Sequence, residues 1–372
     1  MTPRERMNAA MSLRQPDRVP VMAQFSIGHM LLQLGVPPAE FWNDAAVYVD
    51  GLLRMREIYD FDGILVSLHG HDPAWRSGIA RRKMTPNGEE ISWRDGSRTT
   101  YPPDDLPRHV SGPPAGADSL RGDAGEIPAY IPVSQGLRFP IHPSHRFDAI
   151  LETVRRSGGL YSVHGEVTSP FDYLLDAGGH EAVLMRLLED PAAVKADLAR
   201  WSGRVSRLAR EMCATGLDAI KISSPFAGAG FISPDCYREF VLPAEREVIQ
   251  AIRAGGAKAY LHTCGAIGDR LELMISSGAD GIECLDPPPL GNIELREAVD
   301  LIGGRCFVKG NVDSVNLLLR GRAEEVLADV RARLAVGGRN PGFILSTACS
   351  IAPGVSREQV LLLSRVARET PR

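Results

Sequence analysis

Eight short apolar runs, each followed by turn residues and then by a helical stretch, constrain this chain more than any other feature. They are "RVPVMAQF" from Arg18, "GILVSLHG" from Gly63, "GLYSVHGE" from Gly159, "AIKISSPF" from Ala219, "KAYLHTCG" from Lys258, "GIECLD" from Gly281, "RCFVKGNVD" from Arg305 and "GFILSTACS" from Gly342. Between them, apolar residues recur at three- and four-residue intervals, as in "PAAVKADLARWSGRVSRLAREMCATG" from Pro191, where Gly216 supplies the stop. Strands alternating with helices make parallel sheets, and eight such units predict an α/β fold of the (β/α)8 TIM barrel type. A doubly wound open sheet is the rival, but no GxGxxG follows the first strand and the count of eight favours closure. The 372 residues fit one barrel domain over 1–372.

The alternation breaks once, between the second and third strands. Residues 79–145 hold the turn dipeptides Asn87-Gly88 and Asp95-Gly96 around short β-like runs, which predicts a hairpin or small meander. The Pro- and Gly-rich stretch that follows to His145 reads as a long loop, either a lid over the barrel mouth or a surface excursion.

Composition narrows the function. With 44% hydrophobic and 24% charged residues the chain buries a large core. Its net charge of -4, and a single tight basic cluster at Arg81, Arg82 and Lys83, argue against nucleic acid and for a small-molecule or protein partner. The N-terminal residues lack the apolar core of a signal peptide, and no stretch approaches the roughly 20 apolar residues of a membrane span, so a cytoplasmic protein without membrane contact is expected. A homo-oligomer is compatible with all of this. Six cysteines scattered through so long a chain favour free thiols or metal ligands over a disulfide framework.

In "AYLHTCG", His262 and Cys264 stand two residues apart at the end of the fifth run, so an extended strand points both side chains to one face. Working residues of a (β/α)8 barrel sit at the C-terminal strand ends, and the eighth run brings Cys349 to the same rim, with 84 residues between the two cysteines. Two thiolates and an imidazole suit Zn²⁺, and three protein ligands leave a fourth position for substrate, the catalytic pattern. The competing reading is plain packing, since buried cysteine behaves as a small hydrophobe and a lone histidine is commonly a hydrogen-bonded core residue.

"HTCG", "VKGNVDSVNLL", "GEVTSPFDYLLDAGG", "SSPFAGAGFISPDCYREFVLP", "RMNAAMSLRQPDRVPV" and "IAPGVSREQV" together resemble the uroporphyrinogen decarboxylase superfamily over nearly the whole chain. That resemblance implies a (β/α)8 barrel and either decarboxylation or zinc-dependent methyl transfer with corrinoids. The decarboxylases carry an Arg-Gln-Ala-Gly-Arg-Tyr element after the first strand, whereas "MAQFSIGHM" from Met22 to Met30 contains no arginine to anchor carboxylates. They also carry Gly-His-Gly near the last strand, where this chain reads "ACSI" with Cys349 in the histidine's place. With HxC upstream, this resembles the methylcobamide:thiol methyltransferase branch, which implies zinc on His262, Cys264 and Cys349.

The remaining polar residues near strand ends are weighed beside that set. His164 and Glu166 in "VHGEVTS" are candidate catalytic residues, binding substrate or supporting the metal ligands, against a reading as satisfied lumen groups. Lys221 requires a partner such as Asp218, or a solvated lumen. Glu283, Cys284 and Asp286 near the sixth strand end include occupants for an open zinc position, with Cys284 read first as core packing. The resemblance makes Asn311 and Asp313 of "GNVDS" a family landmark and candidate cofactor-binding residues; the alternative is a turn bonded to its own backbone. Cys213, Cys236 and Cys306 are assigned no chemistry.

No DxHxxG corrinoid-carrier motif occurs in the sequence, so cobalamin or a separate corrinoid protein docking over the mouth is the expected co-substrate. A thiol acceptor is favoured, because a neutral or anionic zinc–thiolate site keeps bound sulfur nucleophilic. The alternatives are a substrate-side methyl ether or methylamine:corrinoid protein methyltransferase, a decarboxylase-like lyase, and a non-catalytic ligand-binding barrel.

Overall fold

Seven of the eight apolar runs become strands of one parallel sheet in the computed structural model, which describes residues 1–110 and 126–370. In chain order the strands are β1 (Gly63–Val66), β2 (Ile79–Thr85), β3 (Gly88–Trp93), β4 (Arg98–Tyr101), β5 (Arg108–Val110), β6 (Tyr130–Pro132), β7 (Arg138–Pro140), β8 (Ser162–Thr168), β9 (Ala219–Ser223), β10 (Lys258–Thr263), β11 (Gly281–Cys284), β12 (Phe307–Val312) and β13 (Phe343–Thr347). The parallel sheet runs β1-β8-β9-β10-β11-β12-β13 and curls into the (β/α)8-type barrel. Helices cover its outside, among them Pro191–Cys213, after which the chain turns at Gly216 with φ of 82°. Strands buried on both faces read as continuous apolar runs, and β12 and β13 are buried along their whole length.

The first run departs from expectation. It forms no regular strand; Val21 and Phe25 make only isolated parallel bridges to Leu345 and Ile351. Its backbone still spans the gap: Met22 N donates to Leu345 O at 3.0 Å, Leu345 N to Pro20 O at 2.9 Å, and Asp62 N to Val21 O at 2.7 Å. Pro20 has no N–H to give, and the segment bonds β13 on one side and the entry to β1 on the other. The barrel is therefore seven strands and an extended closing segment.

Helix Pro3–Met11, started by a Thr2–Glu5 capping box, seals the bottom. Its Met7, Ala10 and Met11 pack with Met22, Ala219, Tyr260, Phe307 and Ile344 in a separate apolar cluster.

The insertion is more regular than a hairpin. Strands β2–β5 form a four-stranded antiparallel sheet, with the Asn87-Gly88 turn joining β2 to β3 and Asp95-Gly96 lying between β3 and β4, and β6 pairs with β7. Part of the stretch read as a long loop, 111–125, lies outside the described residues. No described helix is long and apolar enough to cross a membrane.

Candidate functional site

Strand parity lines the lumen. In-register partners share a face, so the pairs Glu166↔Lys221, Lys221↔Tyr260, His262↔Glu283 and Glu283↔Lys309 point the same way across β8 to β12. Above the apolar bottom this gives a layer of charged side chains, and each finds its partner there. Lys221 Nζ is 3.0 Å from Glu166 Oε1 and donates to Gln24 Oε1 at 2.7 Å. Lys309 pairs with Glu283 and donates to Ser346 Oγ at 3.4 Å. Lys221 thus uses Glu166 and not Asp218, which is held by Arg4 and Ser162 instead.

His262 stands at the top of this layer. Its Nδ1 meets Glu283 Oε2 at 2.9 Å, which turns Nε2 to Cys264 Sγ at 3.3 Å. The Cys264 and Cys349 sulfurs are 3.9 Å apart. Both cysteines are partly exposed, whereas Cys213, Cys284 and Cys306 are buried. His262, Cys264 and Cys349 are thus brought together at the C-terminal rim.

Cys284 joins them. Ligand atoms of His262, Cys264 and Cys284 all lie within 4.8 Å of one another, a soft donor set of the type that holds a metal ion. Cys284 is read from the sequence first as core packing, because buried cysteine behaves as a small hydrophobe, and period two would put it on the face opposite Glu283. The backbone breaks that period at the strand end: Cys284 has φ of 88° and Leu285 of 54°, a conformation costly for side-chain-bearing residues and frequent at functional sites. Asp286 Oδ2 then accepts from Gly265 N at 2.7 Å and from the Cys284 thiol at 3.2 Å, tying the two strand-end loops together.

Burial and these pairings set the protonation states. Burial opposes charge on His262, but the Cys264 sulfur beside it outweighs this and holds the imidazole well above its usual range. Burial likewise opposes ionisation of Glu283, and Lys309 and His262 reverse it, keeping the carboxyl well below the ordinary range. Burial pushes the Cys284 thiol up to about 12. The Cys264 contact, with burial second, raises Cys349. In the protein without a cation between the sulfurs, crowding therefore favours neutral thiols at Cys284 and Cys349, and a bound cation reverses the balance.

The family model described as uroporphyrinogen decarboxylase (URO-D) matches residues 133–370, which include β8 to β13 and every residue of this cluster. The chain belongs to the uroporphyrinogen decarboxylase family. Among its relatives, a methylated-thiol–coenzyme M methyltransferase of Methanosarcina mazei is 26% identical over 60% of this chain and 57% of its own length. A uroporphyrinogen decarboxylase of Saccharopolyspora erythraea is 31% identical over 51% of this chain and 54% of its own. The chain thus matches little more than half the length of these curated relatives. A solved methyltransferase structure from Methanosarcina mazei covers 99% of both chains with a TM-score of 0.73 at 18% identity, which shows the shared fold.

Other residues singled out in this uroporphyrinogen decarboxylase family member fall elsewhere. His164 is fully buried below the cluster, with Nδ1 3.1 Å from Tyr260 OH and Nε2 3.1 Å from Ser162 Oγ; burial lowers it to about 4. Both ring nitrogens are taken, so it stands as a satisfied lumen group away from the rim. Asn311 donates to Leu285 O at 2.7 Å and accepts from Arg333 of helix Ala323–Gly337. Asp313 accepts from Val315 N at 2.9 Å, Asn316 N at 2.8 Å and Asn316 Nδ2 at 2.9 Å. The local turn holds Asp313 and the protein frame holds Asn311.

Sequence reading missed Lys309, Gln24 and Ser346. Lys309 had a usable signal, a charge inside the apolar "CFVKGNV" run, which cannot be buried without a partner.

Proposed function

We propose that this chain is a zinc-dependent methyltransferase that moves a methyl group from a corrinoid to a small thiol. The observation that carries the reading is the meeting of His262, Cys264 and Cys349 at the rim, with His262 Nδ1 fixed by Glu283 so that Nε2 faces the sulfurs. The donor set fits zinc: one imidazole, soft sulfurs and a carboxylate behind the histidine. His262, Cys264 and Cys349 would hold the ion, with the Cys284 sulfur a further donor within reach of His262 and Cys264. When bound, zinc supplies the positive charge that keeps a substrate thiol deprotonated at neutral pH.

The chain's own residues orient this chemistry. Glu283, held ionised by Lys309, fixes the imidazole; Asp286 ties the Cys264 and Cys284 loops at one spacing. The methyl donor is cobalamin or a separate corrinoid protein over the mouth, since the sequence has no carrier motif. The names of the methyl-transferring relatives agree with this reading.

The test is methyl transfer from methylcobalamin to a panel of thiols, followed by the visible spectrum of the cobalt, with metal analysis of the same sample. About one zinc per chain and cobalt demethylation only with thiol present support the proposal. Turnover with S-adenosylmethionine and no corrinoid, or decarboxylation of a porphyrinogen without metal, overturns it. Demethylation of a methoxylated compound or methylamine with Co(I), with no thiol accepted, assigns the chain to the substrate side.

A further inference from the structure

The charges of the lumen differ in how free they are. Lys221 and Lys309 are fully buried, and each faces a carboxylate. Glu166 is the exception: its side chain is 14% exposed, and among the described residues it is paired through Oε1 with Lys221 alone. Gln24, also partly exposed, accepts from Lys221 at its Oε1. Glu166 and Lys221 are in register with each other and with Tyr260, two residues before His262 on the same face of β10, which places Glu166 and the Gln24 bound to Lys221 in the lumen below His262.

The charge balance there is negative. With His262 neutral as a metal ligand, Glu166, Glu283 and Asp286 outnumber Lys221 and Lys309 by three to two, and each lysine is paired with a carboxylate. A divalent metal held by two thiolates and an imidazole adds no net charge. A sulfonate or carboxylate beside the reacting thiol would be repelled by the Glu166 carboxylate, whereas an ammonium would donate to its second oxygen.

Resting on the methyl-transfer reading above, we propose that the acceptor is a small aminothiol whose ammonium group is held by Glu166, in preference to an anionic thiol. The transfer balances as for any thiol: the S–H proton leaves to solvent, the sulfur–carbon bond forms, and the cobalt–carbon bond breaks with its electron pair kept by cobalt. Lys221 fixes Oε1 of Glu166, so the free oxygen is held in one place before the ligand arrives.

Three thiols with the same two-carbon spacing decide the matter: 2-aminoethanethiol, 2-mercaptoethanol and 2-mercaptoethanesulfonate, compared on the zinc-loaded protein by calorimetric binding and by methyl transfer from methylcobalamin. The ammonium compound should exceed the sulfonate by about tenfold in affinity and kcat/KM, an advantage that shrinks with added salt. Glu166→Gln should remove most of that preference, and Gln24→Glu should enlarge it. A merely structural role for Glu166 would lower all three thiols together. Sulfonate binding as well as or better than the ammonium compound, no detectable ammonium binding, or a preference untouched by both variants overturns the inference. Absence of methyl transfer with the ammonium preference intact in calorimetry overturns the reaction reading alone.

Discussion

Ala219, Tyr260, Phe307 and Ile344 close the bottom of the lumen, while two residues further along the same strands stand Lys221, His262, Lys309 and Ser346. A step of two keeps a strand residue on the same face, so both sets look inward from one backbone. The lower set is sealed by helix Pro3–Met11 and gains its stability from apolar burial; the upper set is held by ion pairs and by hydrogen bonds to His262. The comparison teaches that plug and site are one scaffold with different residue types at alternate levels. Stability and chemistry should accordingly be separable by mutation.

The largest effect is expected in the upper layer. Glu283→Ala leaves Lys309 buried without its carboxylate and His262 without its support, so stability should fall by about 3–5 kcal/mol and zinc affinity by about 10–100-fold. Urea unfolding and chelator competition measure the two losses. A Glu283→Leu, Lys309→Met double variant should regain most of the stability and none of the affinity, and recovery of both would remove the distinction between the layers.

In the plug, Phe307→Ala should cost a similar ~3–5 kcal/mol, with zinc content and thiol preference retained. Loss of the metal in a variant that still unfolds cooperatively would show that the layers are coupled.

A third prediction uses pH. Burial raises Asp172 and Glu245 to about 7, although Ser169, Ser224 and Phe226 N bond the first and Tyr237 the second. Carboxyls that titrate higher in the folded than in the unfolded chain contribute stability that is complete below the unfolded value, near 4, and is lost as pH rises through 7. Asp172→Asn should flatten the decline in Tm across that window by an amount equivalent to as much as about 4 kcal/mol. An unchanged slope would mean that this carboxyl does not titrate there.

The smallest effect is Asp313→Ala. It breaks the turn to Val315 and Asn316 and should cost about 1 kcal/mol, with the KM for methylcobalamin unchanged. A raised KM would return Asp313 to the corrinoid side of the site.

Seven strands and the meeting of His262, Cys264 and Cys349 were legible because they follow from repetition and from period two, which the sequence displays directly. The irregular first segment was not, because apolar character alone does not say that Pro20 lacks a donor where a ladder needs one. Cys284 was legible only as one of three occupants for an open zinc position, because its sulfur reaches the cluster through positive φ at a strand end, which the sequence does not display. Lys221 was legible as a residue in need of a partner, but Glu166 and Gln24 come from other strands of the barrel, and only the closed fold selects them over the nearby Asp218.

The closing segment has a consequence in time. Its partners, Val21 on one side and Leu345 on the other, are separated by 324 positions along the chain, a distance that a ribosome adding about 5–20 residues per second covers in roughly 16–65 s. Throughout that interval the growing chain has an unpaired sheet edge and an uncovered apolar lumen. Chaperone demand should therefore peak late in synthesis and end abruptly when β13 emerges and the N-terminal segment is captured.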